Sequence, residues 1–335
     1  MNTSIDLNAG SRTAPAQEEV EDSEALRNLM KILSFTEGYV ILSVLIGGII
    51  GNVISIVVFW RTRRRRDATV QYLSVLSVSD LAELITYGVL TSWLTSGLNQ
   101  VTHGEYSVNL WLMSNVSCKL LPFLSHVFEC FSAWTIVAFS IERAVIVWFP
   151  LKRLSIIPKK RKILISTLLL LSVAVSIQRL VLFEVYFNHF YICFYLVPSF
   201  TRVVLYQIDV ILYNYIPSCL IFISNILILI GIGRSKIDKT EKITKSATQD
   251  LRVILSLLSV STLFVIFLTP ASAAWTYYAL ALRAPVVDAK FVRFLQYLGK
   301  FLAQISHLNY CINFIIYGCT LPFFRDELKK MFNIF

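Results

Sequence analysis

Charge is scarce in this 335-residue chain: Asp, Glu, Lys and Arg make up 16% of it, against 56% hydrophobic residues. A water-soluble domain of that length has too little interior to hide so much apolar side chain. The mean hydropathy of +0.65 agrees, so the surplus must face lipid. Cysteine is sparse too. Six residues are too few for a disulfide scaffold, and they form no metal-ligand spacing with the four histidines. No phosphate loop and no nucleophile–base spacing is present, so an enzyme finds no support. A cleavable leader is not evident either, because the first apolar run begins near Tyr39 behind a polar, acidic stretch.

What the chain does have is a formal charge of +10 and long apolar runs. The basic residues sit in short blocks between those runs, which is the pattern of membrane loops rather than of a nucleic-acid face. A bilayer core needs about 20 apolar residues in a helix. Suitable runs cover about 39–60, 70–94, 118–149, 163–186, 203–233, 250–281 and 294–319. The fold class is therefore all-α, a seven-transmembrane helix bundle. Basic blocks follow runs one, three, five and seven, beginning with Arg61, Arg63, Arg64, Arg65 and Arg66. The positive-inside rule puts those connectors in the cytoplasm and the N-terminus outside.

Three regions follow from this division: an extracellular disordered leader over 1–37, a helical domain over 38–319, and an amphipathic surface helix with a short tail over 320–335. The leader carries the acceptor sequon at Asn2, and a second sequon, at Asn115, lies in an outer loop. Residues 321–333 alternate Phe323, Phe324 and Leu328 with Arg325, Lys329 and Lys330, as a helix lying on the inner membrane surface would. Cys130, Cys219, Cys311 and Cys319 fall in or beside apolar runs and read as small buried hydrophobes.

Polar residues inside the runs form a seam. Asp80 and Glu83 share a helix face. Ser125, Glu129, Ser132, Ser140 and Arg143 follow helical steps, and Asn309 and Asn313 are one turn apart. Ionisable groups in lipid face a bundle interior and mark function more often than they act as glue. Pro217 and Pro270 each free a carbonyl in mid-run and kink their helices. A conduction path is the rival use of such a seam, but transporters of that kind show internal repeats, and none is found here.

Taken in order, the fragments resemble rhodopsin-like G-protein-coupled receptors over about residues 38–333. They are Gly51-Asn52-Val53, Leu76-Ser77-Val78-Ser79-Asp80-Leu81, Trp111 before Cys118, Ile141-Glu142-Arg143-Ala144, Pro217, Pro270, and Asn313-Phe314-Ile315-Ile316-Tyr317. Four positions depart from the family pattern. Ala144 replaces a tyrosine, Leu268 a tryptophan two residues before Pro270, and Phe314 a proline, while the fourth run lacks its tryptophan.

The resemblance implies a Cys118–Cys193 disulfide and a sodium pocket at Asp80, Ser132, Asn309 and Asn313, with no other cofactor. It also implies a switch built on Glu142, Arg143, Asp250, Pro270 and Tyr317, with Arg143 resting against Glu142 and Asp250. The implied partners are a heterotrimeric G protein, an extracellular ligand, arrestin and the lipid bilayer of the plasma membrane, with no nucleic acid. Thr320 alone is phosphorylatable after Tyr317, which leaves Ser235, Thr240, Thr244, Ser246 and Thr248 for arrestin recruitment.

His307 occupies the retinal-lysine position and Ser125 the amine-receptor aspartate position, which argues against both ligand classes. Residues 190–197 around Cys193 are rich in β-branched and aromatic residues and predict an outer-loop hairpin. Residues 134–143 together with Asn313, Phe314 and Tyr317 resemble invertebrate FMRFamide-like neuropeptide receptors. A peptide site is expected at Glu83, Ser125, His126, Glu129, Asp209, Trp275 and Gln304, with Glu83 and Glu129 accepting a basic group. The other reading of these two carboxylates, protonated or paired with Arg179 or His307, stays open.

Overall fold

The computed structural model describes residues 24–149, 158–188, 190–195, 199–237, 245–283 and 288–332. Helix α1 runs Glu24–Phe35, passes through a π-type turn at Thr36–Val40 and continues as Ile41–Arg61. Helix α2 comprises Ala68–Glu83, a π-type stretch Leu84–Gly97 and Leu98–Val101, and α3 is Asn115–Trp148. Helix α4 is Pro158–Leu182, while α5 joins Ser199–Val210, Ile211–Tyr215 and Ile216–Ile237. Helix α6 is Lys245–Ala281. Helix α7 runs Ala289–Cys311 and, after a break at Ile312, Asn313–Thr320; the short α8 is Pro322–Phe332.

Six of these helices are long and apolar enough to cross a membrane. Helix α7 falls short on composition, since it carries Lys290, Arg293 and Lys300 with Gln304, His307 and Asn309. Its place is set by packing instead, against α6 along much of its length and against α1. Residues that would be solvent-exposed in a soluble protein are apolar here: Ile46, Ile50, Leu170, Leu171, Phe222 and Leu229 all lie on the surface. That inside-out pattern is what lipid requires, and the chain is a multi-pass membrane protein. Of the free cysteines only Cys130 is buried, while Cys219 and Cys319 are exposed, contrary to the expectation for them.

Two expected boundaries need correction. The leader assigned to 1–37 is helical from Glu24, because Leu26 and Leu33 repeat at helical spacing and bury against the bundle at 1% and 4% exposure. Residues 1–23, with Asn2, lie outside the described part. The fourth run, expected to reach 186, ends as helix at Leu182, where strand β1 (Phe183–Asn188) begins and pairs antiparallel with β2 (Phe190–Tyr195). This is the expected hairpin, with Val185 opposite Cys193. Cys193 is bonded to Cys118 in the first turn of α3, their Cα atoms 5.7 Å apart. Trp111 packs edge-on against Phe183, and Asn115, exposed beside it, accepts from the Val185 N–H at 2.9 Å.

At the end of the bundle opposite the hairpin, α8 is anchored by Phe324, fully buried against Phe59, Phe314 and Tyr317. Small residues allow close helix approach, as is common in membrane bundles. A Cβ on Gly48 would stand 2.3 Å from Cys311 Sγ and 2.9 Å from Leu84 Cδ1, and one on Gly51 2.9 Å from Phe314 Cβ. Phe314 thus fits at a proline position because Gly51 leaves room for it. Gly48→Ala is expected to lose about 1–3 kcal/mol through overpacking, read as a lower melting temperature in detergent. Cys311→Ala should restore part of that loss, and an unchanged melting temperature in Gly48→Ala would refute the close contact.

Candidate functional site

Toward the hairpin end of the bundle, α2, α3, α4, α5, α6 and α7 surround a cavity of about 220 Å³. Five of the seven expected ligand residues line it: Glu83, Ser125, His126, Glu129 and Trp275. Ser125 donates its hydroxyl to both Glu83 oxygens at 3.1 and 3.2 Å. His126, 1% exposed, uses Nδ1 on Ser176 of α4 at 2.9 Å, which fixes its ring. Among the described residues neither Glu83 nor Glu129 forms an ion pair.

The two remaining residues, Asp209 and Gln304, do not line this cavity. Asp209 is buried and ion-paired with Arg179 at 3.0 Å, and it also accepts from Gln178. Gln304 accepts from Thr36 at 2.7 Å, tying α7 to the π-type turn of α1. Arg179, the partner of Asp209, itself lines the cavity, as do Tyr87, Tyr206, Tyr213 and Ser272. Sequence reasoning missed these five as lining residues. For Arg179 the signal existed, since a lone arginine near the outer end of an apolar run is too costly to leave idle.

Beneath the cavity Asp80 is fully buried and accepts from Ser132 at 2.8 Å and Asn313 at 2.6 Å. Three of the four expected sodium-pocket residues are therefore in direct contact. Asn309 is buried, but its Nδ2 has no hydrogen-bond partner among the described residues. Alongside, Asn52 binds the Gly48 and Tyr310 carbonyls at 2.9 and 2.7 Å, joining α1 to α7.

Pro270 is in place within α6. Two residues before it, the Leu268 carbonyl accepts from Asn214 Nδ2 of α5 at 3.2 Å, and Ser218 donates to Asn214 Oδ1 at 2.9 Å. Leu268 lines the cavity floor, where the family pattern puts a tryptophan.

At the α8 end of the bundle the expected Glu142–Arg143 contact is replaced. Neighbours on a helix point about 100° apart, and the two residues turn to different helices. Glu142 receives Arg161 of α4 through Nε at 3.1 Å and Nη2 at 3.0 Å, and the Tyr72 hydroxyl of α2 at 2.9 Å. Arg161 also donates to Gln71 at 3.2 Å. Arg143 donates to Thr69 at 3.0 Å and lies over the Phe139 ring at 5.0 Å. The side chain of Asp250 lies outside the described residues, as do those of Ser235, Thr240, Thr244, Ser246 and Thr248.

Seven helices, a disulfide-held hairpin and a polar column ending at Arg143 form a receptor-like frame. The sequence pattern of 7 transmembrane receptors (rhodopsin family) matches residues 51–317. The chain belongs to this family.

Among relatives within the rhodopsin family, it is similar to the thyrotropin-releasing hormone receptor of Gallus gallus, 31% identical over 105 residues, or 31% of this chain and 24% of that one. It is similar to growth hormone secretagogue receptor type 1 of Sus scrofa, 33% identical over 114 residues, or 34% of this chain and 28% of that one. Similarity to the GQ-coupled rhodopsin of Mizuhopecten yessoensis is lower but longer, 25% over 301 residues, or 84% of this chain and 56% of that one. The chain thus spans about a quarter of the two hormone-named receptors and about half of the rhodopsin. Cys118, Asp80, Arg143, Pro270 and Tyr317 all fall within the matched span, as do the departures at Ala144, Leu268 and Phe314.

Proposed function

We propose that the chain is a plasma-membrane receptor for a peptide with a basic group, activating a heterotrimeric G protein when that peptide binds. One observation carries the ligand half of this reading: Glu83 and Glu129 face one cavity, and among the described residues no cation is ion-paired to either, the Arg179 that lines the same cavity being ion-paired to Asp209. Two carboxylates in a low-dielectric cavity repel each other, and a guanidinium or ammonium between them relieves that repulsion. His307 takes no part in their pairing; its Nδ1 faces the Ala303 and Gln304 carbonyls at 2.9 and 3.2 Å. A hairpin pinned to α3 keeps the mouth open for a chain-like ligand, and one relative is named for thyrotropin-releasing hormone and another for a growth hormone secretagogue. The FMRFamide-like resemblance of 134–143 and Asn313–Tyr317 points to the same ligand class.

In this reading the N-terminus is extracellular and the arginine-rich connectors face the cytoplasm. Asp80, Ser132 and Asn313 supply carboxylate and amide or hydroxyl oxygens suited to a sodium ion. Arg143 and Tyr317 are the inner contacts that activation releases as α6 pivots at Pro270. Glycans on Asn2 and Asn115 and arrestin recruitment through hydroxyls in the α5–α6 connector complete the proposal.

The test is a guanine-nucleotide exchange assay in cells expressing the chain, using amidated peptides with and without arginine. Arginine-containing peptides should activate, and Glu129→Gln should reduce their potency roughly 10- to 100-fold, the scale of a lost charged hydrogen bond, at equal surface expression. Unchanged potency would sink the carboxylate assignment. Ligand-driven ion flux without exchange would sink the receptor reading itself.

A further inference from the structure

The turn between α1 and α2 holds more positive charge than topology requires. Arg63, Arg64, Arg65 and Arg66 are consecutive and all exposed, separated from Arg61 only by Thr62. The turn is not a loose loop. Thr62, 3% exposed, accepts from the Arg64 N–H at 3.4 Å. The Asp67 N–H closes on the Arg64 carbonyl at 2.8 Å, and Gln71 Nε2 reaches the Arg65 carbonyl at 3.4 Å.

Aromatic faces hold two of the guanidinium groups. Arg64 lies over Phe323 of α8 at 5.5 Å, and Arg65 over Trp60 at 5.9 Å. Trp60 is 70% exposed at the end of a lipid-facing helix, the place where indole rings mark the boundary between acyl chains and headgroups. The arginine turn therefore sits at headgroup depth. Lys329, exposed on α8, brings further positive charge to the same inner surface.

We propose that this turn is a binding site for the polyphosphorylated headgroup of an inositol lipid in the adjoining leaflet. Four to eight basic residues immediately inside a membrane helix are the physical signature of anionic-lipid capture. Arginine suits phosphate because its planar fork donates two parallel hydrogen bonds. Four adjacent arginines exceed what one singly charged lipid phosphate can engage, which selects a headgroup with several phosphates. Trp60 supplies the acyl-side contact that a free inositol phosphate would lack. The site rests on the proposed orientation only for the choice of leaflet.

The test uses the full chain in phosphatidylcholine nanodiscs, where both leaflets are open. Binding of short-chain phosphatidylinositol bisphosphate, phosphatidylserine and free inositol trisphosphate is measured for the parent, for Arg63→Gln/Arg65→Gln/Arg66→Gln, and for Lys159→Gln/Lys160→Gln/Lys162→Gln as a charge-matched control. The bisphosphate lipid should bind most tightly. The triple variant should lose about a hundredfold, at roughly fivefold per arginine, with an unchanged melting temperature, while the control keeps its affinity. Equal affinity for phosphatidylserine would overturn headgroup selection, and equal affinity for inositol trisphosphate would overturn the lipid assignment. A triple variant that binds like the parent would overturn the site. An epitope tag after Phe335, scored before and after cell permeabilisation, tests orientation separately: a tag reached outside intact cells refutes the orientation while leaving the nanodisc result to judge the site.

Discussion

Arg161→Met is expected to destabilise the protein by about 3–5 kcal/mol, because it strands a buried carboxylate. Arg161 is 6% exposed and Glu142 9%, and Arg161 reaches Glu142 through two guanidinium nitrogens at 3.0 and 3.1 Å. With the guanidinium gone, Glu142 keeps the Tyr72 hydroxyl at 2.9 Å and no cation among the contacts described for it. The companion Glu142→Gln in the Arg161→Met background should recover much of the loss, because a neutral amide has less to fear from burial. Thermal denaturation in detergent, run as a double-mutant cycle, measures the coupling. If Arg161→Met melts with the parent, the pair contributes nothing and the arrangement of α2, α3 and α4 has another cause. Glu142 is thus committed to α4, and it forms no ion pair with Arg143 among the described contacts.

Opening the Cys118–Cys193 bond should have the next largest effect. The bond links residues 75 apart in sequence, and removal of such a constraint costs about 2–5 kcal/mol. Cys193→Ser frees β2 from α3, leaving the Asn115–Val185 bond and the Trp111–Phe183 contact to hold the hairpin over the cavity. The expected result is reduced surface abundance and a marked loss of peptide-driven exchange. Cys118→Ser should match it, and the double variant should be no worse than either single, since only one bond exists to break. Additive losses in the double variant would mean that each cysteine acts through packing rather than through the bond.

Much of this was legible before any coordinates. Apolar runs of bilayer length delimit the helices, and the family resemblance groups Asp80, Ser132 and Asn313, which are in contact. The hairpin followed from aromatic and β-branched residues flanking Cys193. What escaped were charges whose partners lie on other helices. Arg161 stood among Lys159, Lys160 and Lys162, where it counted toward loop charge and orientation; only the start of α4 at Pro158 turns it inward to Glu142. Asp209 looked like a ligand contact because Arg179, 30 residues earlier, could not be placed beside it. Helix α1 began too late because hydropathy averaging weighs Arg27, Asn28 and Lys31 against Leu26 and Leu33, although alternation around a helix separates them onto two faces.

The hydrogen bond from Asn214 to the Leu268 carbonyl has a mechanical consequence. It attaches α5 to the main chain of α6 just short of its proline, where the acceptor is the same whatever side chain residue 268 carries. Movement of α5 is thus geared to the main chain of α6 beside Pro270, and scanning position 268 would leave that gear untouched. The tooth that can be filed away belongs to the neighbouring helix, at Asn214.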